Sequence, residues 1–143
     1  MAGPARPREV FERLITGITA NAWDDLPGLY AEDAVVEHPY ALPEPSRLEG
    51  REAIRRHFAG AAKGPFELRA RDIVVYETPD PEVIIGEYVY DGRVTSTGRT
   101  FTTANIQVLR VRDGLILASR DYHHHAALAQ VAADAPGRAS GPG

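Results

Sequence analysis

Near the C-terminal end, the stretch SRDYHHHA (Ser119–Ala126) sets an acid, a tyrosine and three consecutive histidines at the tail of an apolar run. Carboxylates and imidazoles are the side chains that burial brings toward neutral pH, because desolvation raises the first and lowers the second. Together in a pocket they suit general acid–base catalysis. Adjacent strand residues point to opposite faces, so Asp121 can share a site with His123 and His125 but not with Arg120. Two histidines with Asp121 or Glu87 could in principle make a facial triad for a metal. No HExxH or comparable spaced motif supports one, so neither a metal nor another cofactor is expected.

The elements around the acid decide where it points. Asp113-Gly114 is a strong two-residue hairpin signal. A regular ladder from that turn pairs Val108 with Ser119, Ile106 with Asp121 and Ala104 with His123. Asp121 is then expected on an apolar face with Ile106, Val108, Leu117 and Ser119, and Asn105, Gln107, Leu109, Arg120 and Tyr122 on the other. In EVIIGEYVYDG, Glu87 interrupts an apolar line. If the next connection pairs Tyr90 with Arg99, Glu87 reaches the Asp121 face as well. The bland alternatives are an ion pair of Asp121 with Arg110 and a structural role for Glu87. His38, in VEHPY, is expected at the mouth of the same pocket. Trp23, Tyr30, Tyr40, His57, Phe58 and Ile106 are the expected substrate-binding residues, although each aromatic would serve equally well as core.

The rest of the chain supplies a frame. PREVFERLITGITAN reads as an amphipathic helix with Val10, Phe11, Leu14 and Ile18 on one stripe. AWDDLPGLYAEDA reads as a short second helix weakened by Pro27 and Gly28. AVVEHPY is a short strand, ALPEPSRLEG a loop, and GREAIRRHFAGAAKG a third helix. Beyond Pro65 the period becomes two, with strands in FELRARDIVVYE, EVIIGEYVYDG, RTFTTANIQVLRV and LILASRDYHH. Helices followed by antiparallel strands define an α+β domain. One domain over residues 7–126 is expected, with flexible termini at 1–6 and 127–143.

Composition narrows the function classes. The chain has 143 residues, 43% hydrophobic and 25% charged, and a formal net charge of −4. Broad attraction to nucleic acid or anionic membrane is therefore not expected. The absence of cysteine rules out disulfides, thiolate metal sites and cysteine nucleophiles. No apolar run approaches the ~20 residues of a membrane span, and the first residues show no apolar signal core. A cytoplasmic protein is the expectation. No GxGxxG, P-loop or GxSxG motif is present.

Taken in order, W…L…LYAEDAVVEHPY, LEGREAIRRHF, VVYETPDPEVIIGEY, TGRTF and VRDGLILASRDY resemble the SnoaL-like group of the nuclear-transport-factor-2-like superfamily, over about residues 8–125. That superfamily includes ketosteroid isomerases, limonene epoxide hydrolase, polyketide cyclases and phenazine-biosynthesis isomerase-like proteins. The resemblance implies a cone-shaped, strongly curved antiparallel sheet with three N-terminal helices on its concave face, enclosing a pocket. It also implies a homodimer through the outer sheet face, where Gln107, Arg120 and Tyr122 would lie. SRDY is similar to the phenazine-type pattern of arginine, acid and aromatic, which gives Asp121 the role of proton donor or acceptor. The first helix has no tyrosine where the ketosteroid isomerases carry theirs, and the Asp–Arg–Asp set of the epoxide hydrolase is not visible.

The leading expectation is a small cofactor-independent enzyme moving protons next to a carbonyl of a hydrophobic small molecule, by isomerisation, aldol-type cyclisation or dehydration. Asp121 would be the acid or base, helped by His38, His123 or Glu87. The alternatives are a non-catalytic ligand-binding protein of the same fold and a protein-interaction module with a collapsed core.

Overall fold

A computed structural model of the protein describes residues 3–133. Its α1 helix (Pro7–Thr19) starts where expected, with Pro7 in the first turn and the Arg6 backbone N–H donating to Glu9 Oε1 at 3.1 Å. Its buried stripe is Val10, Phe11, Leu14, Ile15 and Ile18. Each such side chain contributes about 1.5–3 kcal/mol by leaving water. At its far end Thr19 Oγ1 accepts the backbone N–H of Ala70 at 3.1 Å, tying the helix to the sheet. The expected second helix is a 3₁₀ helix (Trp23–Leu29). Pro27 lacks an N–H donor, and the chain turns extended at Tyr30, before any α-helix can form.

β1 (Tyr30–His38) is longer than expected, and the expected loop after it contains a short strand, β2 (Ser46–Glu49). The α2 helix (Arg51–Ala62) buries Ile54 and Phe58. Four long strands follow: β3 (Phe66–Glu77), β4 (Val83–Val94), β5 (Thr100–Arg112) and β6 (Leu115–His123). The six strands form one sheet in the order β2-β1-β6-β5-β4-β3. It is a curved α+β sheet as expected, with one departure: β1 pairs parallel with β6. The remaining neighbours are antiparallel.

The concave face carries Ile84, Gly86, Tyr88 and Tyr90 from β4, with Asn105, Gln107, Leu109 and Val111 from β5, all buried. Gly86 lets α1 seat on the sheet: a Cβ there would lie 2.2 Å from the Phe11 ring. The Asp113-Gly114 turn forms as predicted, both residues having positive φ (51° and 80°), with Arg112 opposite Leu115.

The ladder then departs from the expected one. Val111 pairs with Ile116 but Arg110 pairs with Ala118, so Leu117 is an extra residue in β6. This bulge shifts every later pair by one. Asp121 therefore stands opposite Gln107, His123 opposite Asn105, and Ile106 opposite Tyr122.

The helical content also exceeds expectation. Besides α1, the 3₁₀ helix and α2, a further helix α3 (His125–Ala133) follows the last strand. Residues 127–133, expected as part of a flexible tail, are thus helical, because Val131 buries against Val94 beside Phe66 and Phe101. The Gly/Pro/Ser-rich stretch at 134–143 lies outside the described residues. No helix among the described residues is long and apolar enough to cross a membrane.

Candidate active site

Between the concave sheet face and the helices lies a cavity of about 340 Å³. Leu14, Ile18, Trp23, Tyr30 and Phe58 supply its apolar wall, with the Trp23 and Phe58 rings stacked at 6.2 Å. Its polar wall is built from Asp121, Gln107 and four histidines: His38, His57, His123 and His125.

Several separate features bring these groups together. The bulge at Leu117 turns Ser119 and Asp121 inward and leaves Arg120 outside. The parallel β1–β6 register, with Val36 beside Ser119 and Glu37 beside Arg120, carries His38 alongside Asp121. Strand alternation adds His123. The α2 helix supplies His57, and the first residue of α3 is His125.

Asp121 is only 6% exposed. The Ser119 hydroxyl donates to its Oδ1. Its other oxygen, Oδ2, lies 3.6 Å from His38 Nε2 and 4.0 Å from His123 Nε2. The His38 ring centre is 5.4 Å from His57 and 5.8 Å from His125. The expected alternative partner, Arg110, is engaged elsewhere, with Asp80 at 3.1 Å and Glu82 at 2.9 Å.

Burial lowers the proton affinity of three of the imidazoles, those of His57, His123 and His125. It pushes His123 down to about 4, against the opposing pull of Asp121. It also lowers His125, and lowers His57 although that residue keeps an exposed side; the neighbouring His38 adds to both shifts. At neutral pH His123 is therefore uncharged and can accept or relay a proton. Burial raises the Tyr30 and Tyr88 hydroxyls well above their ordinary value, so both stay protonated. The Tyr88 hydroxyl donates to Gln107 Oε1 at 3.0 Å.

Of the residues predicted from the sequence, Asp121, His38, His123, Trp23, Tyr30, His57 and Phe58 all line this cavity. Three do not. Glu87 sits on the outer face, where it accepts the Tyr76 hydroxyl at 3.0 Å. The β4–β5 hairpin turns later than expected, with Arg93 opposite Thr100, so Glu87 pairs with Ile106. Ile106 is 41% exposed on that outer face, because the β6 bulge moved its partner from Asp121 to Tyr122. Tyr40 follows the end of β1 and is 66% exposed, its ring 5.4 Å from that of Tyr122 outside the cavity.

Sequence reasoning missed Ser119, Tyr90, Asn105 and Gln107 as site residues, and placed Gln107 on the outer surface; Tyr88, which it weighed as a pocket aromatic, does line the cavity. The available signal was the alternation in TTANIQVL, where Thr103, Asn105 and Gln107 share one face. It reads as a solvated face, but all three side chains are buried and Gln107 lines the cavity. The same reasoning expected no metal, yet donor atoms of His38, Asp121 and His123 all lie within 4.8 Å of one another and could hold one.

A curved sheet closed by helices over a pocket with an inward acid defines the nuclear-transport-factor-2-like class. The chain matches the SnoaL-like domain over residues 11–119 and belongs to that family. It is 40% identical over 111 residues to an uncharacterized PhzA/B-like protein of Pseudomonas aeruginosa, covering 77% of this chain and 76% of that one. Among solved structures, it is similar to a Bacillus subtilis protein described as a "putative isomerase", with a TM-score of 0.76, 30% identity and coverage of 82% and 86% of the two chains. A "putative polyketide cyclase" from Xanthomonas campestris shares the fold, with a TM-score of 0.74, 24% identity and coverage of 88% and 96%.

Proposed function

We propose that the protein is an acid–base enzyme that moves a proton next to a carbonyl of a hydrophobic small molecule, as in isomerisation, aldol-type cyclisation or dehydration. The observation that carries this reading is the setting of Asp121. One carboxyl, 6% exposed, faces a cavity of about 340 Å³ with an otherwise largely apolar wall. The cavity reaches the ~300 Å³ typical of small-molecule sites, which favours a pocket protein over a module with a collapsed core.

In this reading Ser119 holds Oδ1 and leaves Oδ2 to exchange the proton with the carbon beside the carbonyl. His38 and His123 flank that oxygen and relay the proton or polarise the carbonyl. Trp23, Tyr30 and Phe58 hold the apolar body of the substrate. These steps draw on side chains alone. We extend the reading to a homodimer through the outer sheet face, supported by the exposed Val74, Tyr76 and Ile106.

The test is solvent deuterium exchange. Wild-type protein incubated in D₂O with a panel of cyclic and aromatic ketones should label the carbon next to the carbonyl of at least one. Asp121→Asn should slow that labelling by about 10²–10⁴-fold, the range of a positioned acid–base group. Equal labelling by both proteins would remove the proposal. Ligand binding without labelling would leave a binding protein of the same fold.

A further inference from the structure

We propose that His38, Asp121 and His123 form a binding site for one first-row divalent transition-metal ion of the zinc, cobalt or nickel class. One donor atom from each residue lies within 4.8 Å of the others, and His38 Nε2 and His123 Nε2 are the nitrogens nearest Asp121 Oδ2. Metal bonds of ~2.0–2.2 Å place tetrahedral ligand atoms on the order of 3.5 Å apart. The carboxylate oxygen already stands 3.6 Å from one nitrogen and 4.0 Å from the other. Small rotations of the two rings would close the set.

The hydrogen bonds behind the donors point the same way. Asn105 Nδ2 donates to the Thr103 carbonyl at 3.2 Å, so its Oδ1 is the atom facing His123 Nδ1, at 2.8 Å. An amide oxygen only accepts, so Nδ1 carries the proton and the Nε2 of a neutral His123 carries a lone pair. That lone pair faces a carboxyl oxygen at 4.0 Å, beyond hydrogen-bond reach. A cation between them resolves the juxtaposition. Metal-bound histidines characteristically donate their second ring N–H to an oxygen in this manner. Ser119 completes the arrangement by occupying Oδ1 and leaving Oδ2 free.

Surroundings and ligand type set the ion. His38 is 5% and Asp121 6% exposed, so bulk water competes weakly. His125 Nε2 is buried without a hydrogen-bond partner among the described residues, and its ring stands 5.7–5.8 Å from the other two, offering a fourth nitrogen. Two imidazoles and one carboxylate favour transition metals over magnesium or calcium, whose preferred ligands are all oxygen. An ion on Oδ2 would occupy the oxygen assigned above to proton transfer. Binding is therefore read without substrate, and the metal site can fail while that assignment stands, or the reverse.

The experiment is titration of the full chain, stripped with a chelator and dialysed, with Co²⁺ under visible absorption and calorimetry. The expected result is 1:1 binding with the d–d bands of low-coordinate cobalt. His38→Ala and His123→Ala should each lose saturable binding, with His123→Gln as a volume-keeping second variant and circular dichroism reporting the fold. Asn105→Leu keeps all three ligands and should weaken binding by about 10–100-fold. His124→Ala, at an exposed position, should bind as wild type does. Absence of saturable binding by the wild type would overturn the site. Binding that survives loss of His38 and His123 but not of His124 would overturn it too, by placing the ion on the exposed histidine run.

Discussion

Asp121 and Glu87 are both acids within long strands of one sheet, and they meet opposite surroundings. Glu87 faces water on the outside of β4 and takes one tyrosine hydroxyl. Asp121 faces the cavity on the inside of β6 and is met by Ser119, His38 and His123. An exposed carboxylate needs no partner, whereas an enclosed one is unfavourable unless polar groups meet it. Replacing the outer acid removes only an exposed hydrogen bond from Tyr76, which water can replace. The inner acid has required a hydroxyl, a parallel strand and a bulge to be where it is.

Neutralising each acid breaks this contrast most sharply. In the ketone exchange assay Asp121→Asn should lose about 10²–10⁴-fold, while Glu87→Gln should stay within about 0.5 kcal/mol of wild type in stability and keep its exchange rate. Equal losses from both would erase the distinction between the faces.

Adjacent residues of β4 sharpen it next. Gly86→Ala pushes a methyl into the Phe11 ring and should destabilise by about 1–3 kcal/mol in urea unfolding. Glu87→Ala, one residue on and facing outward, should again cost no more than about 0.5 kcal/mol. Two tyrosines give a smaller difference. Tyr88→Phe removes the hydrogen bond to buried Gln107 and should cost about 1–2 kcal/mol. Tyr76→Phe, whose hydroxyl meets Glu87 on the surface, should be near neutral. Thermal unfolding of both variants reads this pair.

The smallest effect belongs to the outer rim. Hydrogen bonds from Arg112 and Arg110 hold Glu82 at about 2, against an ordinary 4.5. Its folded-state value is depressed, so its contribution is complete above about pH 4.5 and is lost as pH falls from there toward 2. Melting temperatures across that window should fall for wild type, and Glu82→Gln should show a shallower fall.

Much of the frame was legible because periodicity reports it directly. The α1 stripe, α2, the four long strands and the Asp113-Gly114 turn all follow from residue type and spacing. The inward direction of Asp121 was also predicted, but from a ladder that pairs it with Ile106. In the structure it points inward opposite Gln107, after a bulge. LILAS is apolar on both faces around Leu117, so alternation leaves no mark where the extra residue enters. The same shift explains why Ile106 was sought inside and Gln107 outside. Glu87 was misplaced for the same reason: either hairpin register keeps it on the Ile106 face of β5, and the β6 bulge puts Asp121 on the other face. The proximity of His38 to Asp121 rests on a parallel pairing between strands some eighty residues apart. Such a contact has no local signature, so His38 was expected at the pocket mouth without the strand pairing that puts it there.

The central claim is that Asp121 acts on a bound molecule rather than merely holding it. The most direct test pairs two readings on one ketone that wild type labels in D₂O: its dissociation constant and its rate of deuterium uptake, in wild type and in Asp121→Asn. The account predicts a similar dissociation constant and a rate lower by about 10²-fold or more. An unchanged rate, or a loss fully explained by weaker binding, would contradict it.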